Sequence, residues 1–208
     1  MSACKTIKCH LARLNKQIAT NNKDFDSLSV EDKKVKIAWD VIQQLNASKF
    51  IPTPGTYMSS SMYGVSINSE NYREMMEKTE KCNVCALGGI FASYVLNSEN
   101  KIDISERIGY LDVSHLSIVD SLDAIFFKNE LDLIEWCFES WENEEGFEIP
   151  EVNTWVRFTK HLSPTLKMRL IMENIVVHKQ FRPDILPVCI NNEWKTEKFP
   201  YPKVKSKP

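Results

Sequence analysis

The sequence predicts a mainly α-helical fold, a single-domain helical bundle of about six to eight helices with at most a minor β-hairpin or edge strand. The chain has 208 residues, of which 43% are hydrophobic, and this is enough for one substantial core. Apolar residues recur at steps of three and four along most of it. The 6 glycines and 9 prolines do not form a low-complexity segment. We expect residues 1–190 to form the domain and residues 191–208 to form a Lys/Pro-rich tail.

The first half of the chain predicts three helices and one long loop. Residues 4–20 carry an amphipathic pattern. Ser29 followed by Asp32 resembles a capping box that opens a second helix. Residues 49–67 contain prolines and glycines typical of a loop, with a short hairpin within it as an alternative, and residues 68–80 suggest a short charged helix. The predicted buried stripe of the second helix is Val35, Ala38, Val41, Ile42 and Leu45.

The segment Cys82–Val95 is apolar on nearly every side, which predicts a helix at the centre of the fold. Gly88 and Gly89 are adjacent within it, and each glycine costs a helix about 1 kcal/mol relative to alanine. We expect a ridge of small side chains here to let a neighbouring helix approach closely, because tight packing would offset that cost.

The second half predicts further helices separated by short connections. One carries Leu116 to Phe126, and a second is expected to be capped by Asn129. A short helix is expected over residues 155–162, and Ser163 with Pro164 should begin a helix over residues 165–179, in which Arg169 and Glu173 can pair. An edge strand is expected over residues 186–190 before the tail.

Composition and charge limit the partners and the compartment. A net charge of −2 gives no general attraction to nucleic acid or to anionic membranes. The longest apolar run, residues 84–95, is shorter than the roughly 20 residues that span a bilayer. The N-terminus lacks an apolar signal region, and six cysteines in a chain of this length do not indicate a disulfide scaffold. We therefore expect a cytosolic protein with reduced thiols.

The pair Cys82 and Cys85 has three interpretations. A redox pair would place Cys82 at a helix N-terminus, where its thiolate is favoured, but the strand expected before such a motif is missing from the pattern. A structural zinc site would need two more ligands, and Cys4, Cys9 and His10 are the candidates. The favoured interpretation is a small core residue at Cys85 and a helix-cap thiol at Cys82.

Sequence signatures of catalysis are missing. The chain contains no GxGxxG, GxxxxGK[ST], GxSxG or HExxH motif, and its four histidines are scattered. We therefore expect no cofactor and no catalytic residue.

The loop Pro52–Gly64 is the strongest candidate for binding. It combines rigid prolines, hydroxyl groups and two tyrosines whose rings can stack while their hydroxyls remain hydrated. The alternative is a long connection whose tyrosines pack on the domain. The predicted binding residues are Thr56, Tyr57, Met58, Ser60 and Tyr63.

Three segments, Cys82–Ser93, Leu131–Glu135 and Arg169–Ile175, resemble small helical proteins of undefined function encoded by tailed phages and their bacterial hosts. The resemblance spans roughly residues 30–180 and brings no catalytic residues with it. It implies an accessory phage or mobile-element protein rather than a housekeeping enzyme.

The leading functional hypothesis is a non-enzymatic protein that acts in the host cytoplasm by binding a host protein or a small ligand, with inhibition of host defence as one such role. One alternative is a virion or assembly component that docks through its tail. A second alternative is an enzyme that uses Cys82 as its nucleophile. The sequence leaves the oligomeric state open.

Overall fold

The computed structural model describes residues 25–60, 80–98, 122–140, 149–190 and 193–198, and these residues are mainly helical, as predicted. They include five α-helices, so the described residues alone do not confirm the predicted count of six to eight. The helices predicted over residues 4–20 and 68–80, and most of the one carrying Leu116, lie outside the described residues. The helices are α1 (Val30–Asn46), α2 (Ala86–Asn97), α3 (Lys128–Glu139), α4 (Pro150–Thr159) and α5 (Pro164–His178).

The described residues contain more β-structure than the sequence predicted. Strands β1 (Phe50–Pro52), β2 (Met58–Ser60) and β3 (Cys82–Val84) form a sheet with the order β1-β3-β2. Strand β3 is parallel to β1 and antiparallel to β2. The expectation of at most a hairpin or an edge strand was therefore wrong, because three-residue strands that pair across some thirty residues leave no local pattern to detect.

Helix α1 follows the sequence prediction closely. The Ser29 hydroxyl accepts a hydrogen bond from the backbone N–H of Asp32 at 3.2 Å, so Ser29 is the N-cap residue. The buried face of α1 packs mainly against α5 and also against α2. The predicted stripe is confirmed, since each of its residues is buried: Val35, Ala38, Val41, Ile42 and Leu45.

Helix α2 begins later than predicted. Residues Cys82–Val84 form strand β3, and the N-cap residue Cys85 has extended backbone angles. The Cys85 sulfur accepts a hydrogen bond from the Gly88 N–H at 3.4 Å. A run that is apolar on every side does not distinguish a buried strand from a buried helix, which explains the error.

The two adjacent glycines have different roles. A Cβ atom on Gly88 would lie 1.7 Å from the carbonyl oxygen of Tyr57, so Gly88 makes room for the backbone entering β2. At Gly89 the nearest neighbouring atom would be 3.7 Å away, which is ordinary van der Waals contact. The close approach expected at this position therefore involves the backbone beside β2, and it depends on Gly88.

The sequence prediction was wrong for the start of α3 and correct for the start of α5. Helix α3 begins at Lys128 with Phe127 as its N-cap residue and no side-chain cap, so the cap predicted at Asn129 was wrong. For α5, the Ser163 hydroxyl accepts a hydrogen bond from the Leu166 N–H at 3.3 Å, which confirms the predicted start. The predicted pair on α5 is also present, with Arg169 Nε 3.0 Å from a Glu173 carboxylate oxygen.

A buried ion pair joins α1 to α3. The Lys34 ammonium donates a hydrogen bond to the Glu130 carboxylate, and both side chains are buried. The second Glu130 oxygen accepts a hydrogen bond from the Phe181 N–H at 2.7 Å, which also ties the segment after α5 to the pair. Because each oxygen has a partner, part of the cost of burying this carboxylate is offset.

The C-terminal region forms a hairpin of β4 (Ile185–Ile190) and β5 (Glu193–Lys198). Strand β4 confirms the strand predicted over residues 186–190. Strand β5 falls in residues assigned to the tail, so this part of the tail is paired with the domain rather than extended away from it. The Asn174 amide donates to the carbonyl oxygens of Arg182 and Ile185, which fixes the chain as it enters β4.

Candidate functional site

A group of mostly polar residues lies where the turn between β1 and β2 meets the end of α3 and the first turns of α5. Its members come from three parts of the sequence, and we refer to them together as the loop site. Pro54 and Gly55, at the tip of the turn, are exposed, and Thr53 and Thr56 are half-buried. The loop site consists of Thr53, Pro54, Gly55, Thr56, Glu139, Ser140 and Lys167.

Backbone hydrogen bonds hold the turn on β3 and on the start of α2. The Thr53 N–H donates to the Val84 carbonyl at 2.9 Å, and the Cys85 N–H donates to the Tyr57 carbonyl at 3.2 Å. Gly55 has a φ of 71°, a left-handed conformation that favours glycine. The turn is therefore fixed at both ends, and its tip projects outward.

Glu139 connects the tip of the turn to α3. Its carboxylate accepts a hydrogen bond from the Gly55 N–H at 2.8 Å. Burial raises the pKa of the Glu139 carboxyl above its ordinary value, while the hydrogen bond from Gly55 and the charge of Lys167 oppose that rise. A half-buried carboxylate thus lies directly beside an exposed turn.

Ser140 and Lys167 form the other side of the loop site. Ser140 ends α3 with a φ of 56°, which is uncommon for a residue other than glycine. The Lys167 ammonium donates a hydrogen bond to the Ser140 hydroxyl, and the Lys167 side chain is buried. This arrangement places a cation, a hydroxyl and the carboxylate of Glu139 close to one another.

The structure places only part of the predicted binding segment at this site. Thr56 lies in the turn, whereas Tyr57 and Met58 are 9% and 3% exposed. The Tyr57 ring packs against Phe91, with a centroid distance of 6.4 Å, so Tyr57 matches the alternative of a tyrosine packed on the domain. Ser60 belongs to β2, opposite Cys82. The side chain of Ser60 and the whole of Tyr63 lie outside the described residues.

Sequence reasoning missed three members of the loop site, Glu139, Ser140 and Lys167. The acidic residue and the turn are 84 positions apart in the sequence, and no local pattern links them. The only available signal was Pro54-Gly55, a dipeptide typical of tight turns, which marks the tip but not what lies beside it.

The two cysteines of the CxxC motif are not arranged for redox chemistry. Strand geometry separates the Cα atoms of Cys82 and Cys85 by about 10 Å, beyond the roughly 7 Å that a disulfide can bridge. Cys82 is 2% exposed, and burial raises the pKa of the Cys85 thiol to about 12. Cys82 is therefore shielded from solvent, and the Cys85 thiol is held protonated in the core. Cys85, not Cys82, is the residue at the helix N-terminus.

Metal ligands do not cluster in the described part of the chain. No group of three or more His, Cys, Asp or Glu side chains there could hold a metal ion. Cys4, Cys9 and His10, the other zinc candidates from the sequence, lie outside it. No helix formed by the described residues is long and apolar enough to cross a membrane.

Comparisons with known proteins gave no match for this chain. The chain matches no protein-family model, no curated protein and no solved structure. The assignment of function therefore depends on the geometry of the loop site and on the sequence features described above.

Proposed function

We propose that this chain is a non-enzymatic binding protein that contacts a host protein or a small ligand through the loop site. The observation that carries the proposal is the hydrogen bond from the Gly55 N–H to Glu139. Ordering a backbone costs about 1–2 kcal/mol per residue, so a turn that is already fixed in the free protein avoids much of that cost on binding.

The chemistry of the loop site suits a polar partner. Thr56 offers a hydroxyl that can donate or accept hydrogen bonds, and Glu139 offers a carboxylate. The Thr53 hydroxyl donates to the Ile51 carbonyl at 3.1 Å and can still accept a hydrogen bond. Pro54 and Gly55 present an exposed and sterically small tip. A partner with hydrogen-bond donors for Glu139 and a shallow surface for the tip would fit this arrangement.

The biological setting is proposed from the sequence resemblance. The segments that resemble small phage-encoded helical proteins support an accessory phage or mobile-element protein that acts in the host cytoplasm. Occupying a host protein involved in defence is one role that such a binding protein would serve.

The other functional hypotheses receive less support from the structure. A Cys82 nucleophile would need an accessible thiolate, and Cys82 is 2% exposed. The virion hypothesis used the Lys/Pro-rich tail as a free docking arm, and the described part of that tail is strand β5.

The test compares Glu139→Ala with a matched control, Glu173→Ala, at a glutamate on α5 outside the loop site. Tagged wild-type and variant proteins are used to capture partners from host lysate, and native mass spectrometry detects retained small molecules. We expect Glu139→Ala to lose a partner that the control and the wild type both retain. Each glutamate makes one side-chain hydrogen bond, worth about 1 kcal/mol, so similar unfolding midpoints would show that both variants remain folded.

Two results would contradict the proposal. One is an identical set and amount of retained partners for wild type and Glu139→Ala. The other is equal loss with Glu139→Ala and Glu173→Ala, which would indicate a general effect on stability rather than contact at the loop site.

A further inference from the structure

The hairpin of β4 and β5 is a two-stranded sheet. Within the described part of the chain, β5 pairs with β4 alone. Both strands have six residues, and β4 contains Pro187, whereas β5 contains no proline. Because an isolated two-stranded hairpin is only marginally stable in water, a further strand added to the outer edge of β5 would stabilise it.

The charged residues of β5 have no opposite charge directly across the hairpin. In the register of the two strands, Lys195 is opposite Val188 and Glu197 is opposite Leu186. The remaining charged positions, Glu193 and Lys198, are opposite Ile190 and Ile185. Strand β4 therefore supplies no opposite charge to the acidic and basic residues of β5.

Strand β5 is complementary to a second copy of itself in one antiparallel register. A two-fold axis perpendicular to the sheet leaves each side chain on the same face of the sheet in both copies. A residue of one copy can therefore face only a residue of the other copy whose sequence number differs from its own by an even number. With Thr196 on the axis, Lys195 of each copy faces Glu197 of the other, and residues 194–198 overlap.

The neighbouring registers are less favourable. An axis at Lys195 places this lysine against its own copy and Glu193 against Glu197, and an axis at Glu197 places two glutamates together. An axis at Trp194 pairs Glu193 with Lys195 but overlaps only residues 193–195. Lysines on an edge strand oppose indiscriminate pairing, and here the same charges select one register.

We propose that two copies of this chain associate through the outer edges of β5, antiparallel and with Thr196 on the two-fold axis. The product is a four-stranded sheet in the order β4-β5-β5-β4. Backbone hydrogen bonds supply the pairing, and the two Lys195–Glu197 contacts between copies set the register.

Charge reversal tests the proposal on the full-length chain. Lys195→Glu and Glu197→Lys are measured separately, as an equimolar mixture, and as the double variant Lys195→Glu/Glu197→Lys. Sedimentation velocity over a series of concentrations gives the dimer dissociation constant, and native mass spectrometry identifies mixed dimers. Circular dichroism establishes that each variant is folded.

The expected pattern is specific to this register. Wild type forms dimers, and each single variant weakens dimerisation by about tenfold or more, because like charges then face each other twice. The double variant restores dimers, and the mixture of single variants forms mixed dimers in preference to either homodimer.

Three results would overturn the proposal. A wild-type chain that sediments as a monomer at every concentration removes it. A dimer that is insensitive to both single variants places the interface elsewhere. A dimer that is weakened by Lys195→Glu but unchanged by Glu197→Lys indicates the register with Trp194 on the axis. None of these results depends on the loop site, so this proposal can fail while the proposed binding function stands.

Discussion

Replacing Gly88 with alanine should force the turn between β1 and β2 off the start of α2, whereas the same change at Gly89 should not. The added Cβ at position 88 would lie 1.7 Å from the Tyr57 carbonyl oxygen, so that oxygen must move by about 1.3 Å before the contact reaches even 3.0 Å. The movement also disrupts the hydrogen bond from the Cys85 N–H to the same oxygen. At Gly89 the nearest atom is 3.7 Å from the added Cβ, so the methyl group fits.

These contacts set the expected changes in unfolding free energy. Overpacking costs about 1–3 kcal/mol and a lost hydrogen bond about 1 kcal/mol, while alanine gains about 1 kcal/mol in helix propensity. Gly88→Ala should therefore destabilise the protein by about 2 kcal/mol. Gly89→Ala retains only the propensity gain and should stabilise it by about 1 kcal/mol, so the two variants should differ by about 3 kcal/mol.

Urea denaturation followed by circular dichroism measures both variants against wild type. If the transition is two-state, the midpoints should move in opposite directions with unchanged m values. The reasoning is refuted if Gly88→Ala is as stable as wild type, or if both substitutions shift the midpoint equally in one direction.

Three further predictions concern a helix cap, a half-buried carboxyl and a thiol. Ser163→Ala should lower the unfolding free energy by about 1 kcal/mol, measured by urea denaturation, because the Leu166 N–H loses its acceptor; an unchanged midpoint would contradict this. Burial raises the pKa of Asp40 above 3.8, so the folded state holds this proton more tightly than the unfolded chain does. The contribution of Asp40 to stability is then greatest below pH 3.8 and falls as the pH rises. The Asp40→Asn variant should therefore gain stability relative to wild type from pH 3.8 toward neutrality. A stability difference between the two proteins that does not change with pH would refute this prediction. Burial raises the pKa of Cys85 to about 12, so iodoacetamide should label this thiol far more slowly in native protein at neutral pH than in urea. Peptide mass spectrometry measures the two labelling rates, and equal rates would contradict the burial of Cys85.

The parts of the fold that the sequence predicted well are those fixed by neighbouring residues. Ser29 and Ser163 cap helices because their hydroxyls reach an N–H three positions ahead, which is a local relation. The buried stripe of α1 follows from a repeat of three and four residues, which is also local. The pair of Arg169 and Glu173 spans a single helical turn.

The parts that the sequence did not predict depend on distant partners. Strand β3 is a strand because Phe50 and Met58 lie on either side of it, and neither neighbour is visible in the local pattern around Cys82. The same holds for the loop site, where Glu139 meets Gly55 from another part of the chain. Burial of Tyr57 likewise follows from contact with Phe91, although the composition of the loop around Tyr57 is typical of exposed recognition residues.

The extensive packing of α1 against α5 bears on how the protein folds as it is made. These helices lie near opposite ends of the described chain, and Lys34 on α1 finds its buried partner only in α3. A growing polypeptide that has not yet released α5 from the ribosome therefore leaves the part of α1 that packs against α5 exposed to solvent or to chaperones. Completion of the core has to wait for α5 to emerge, so premature termination before residue 164 should yield a chain that cells degrade rather than a smaller working protein.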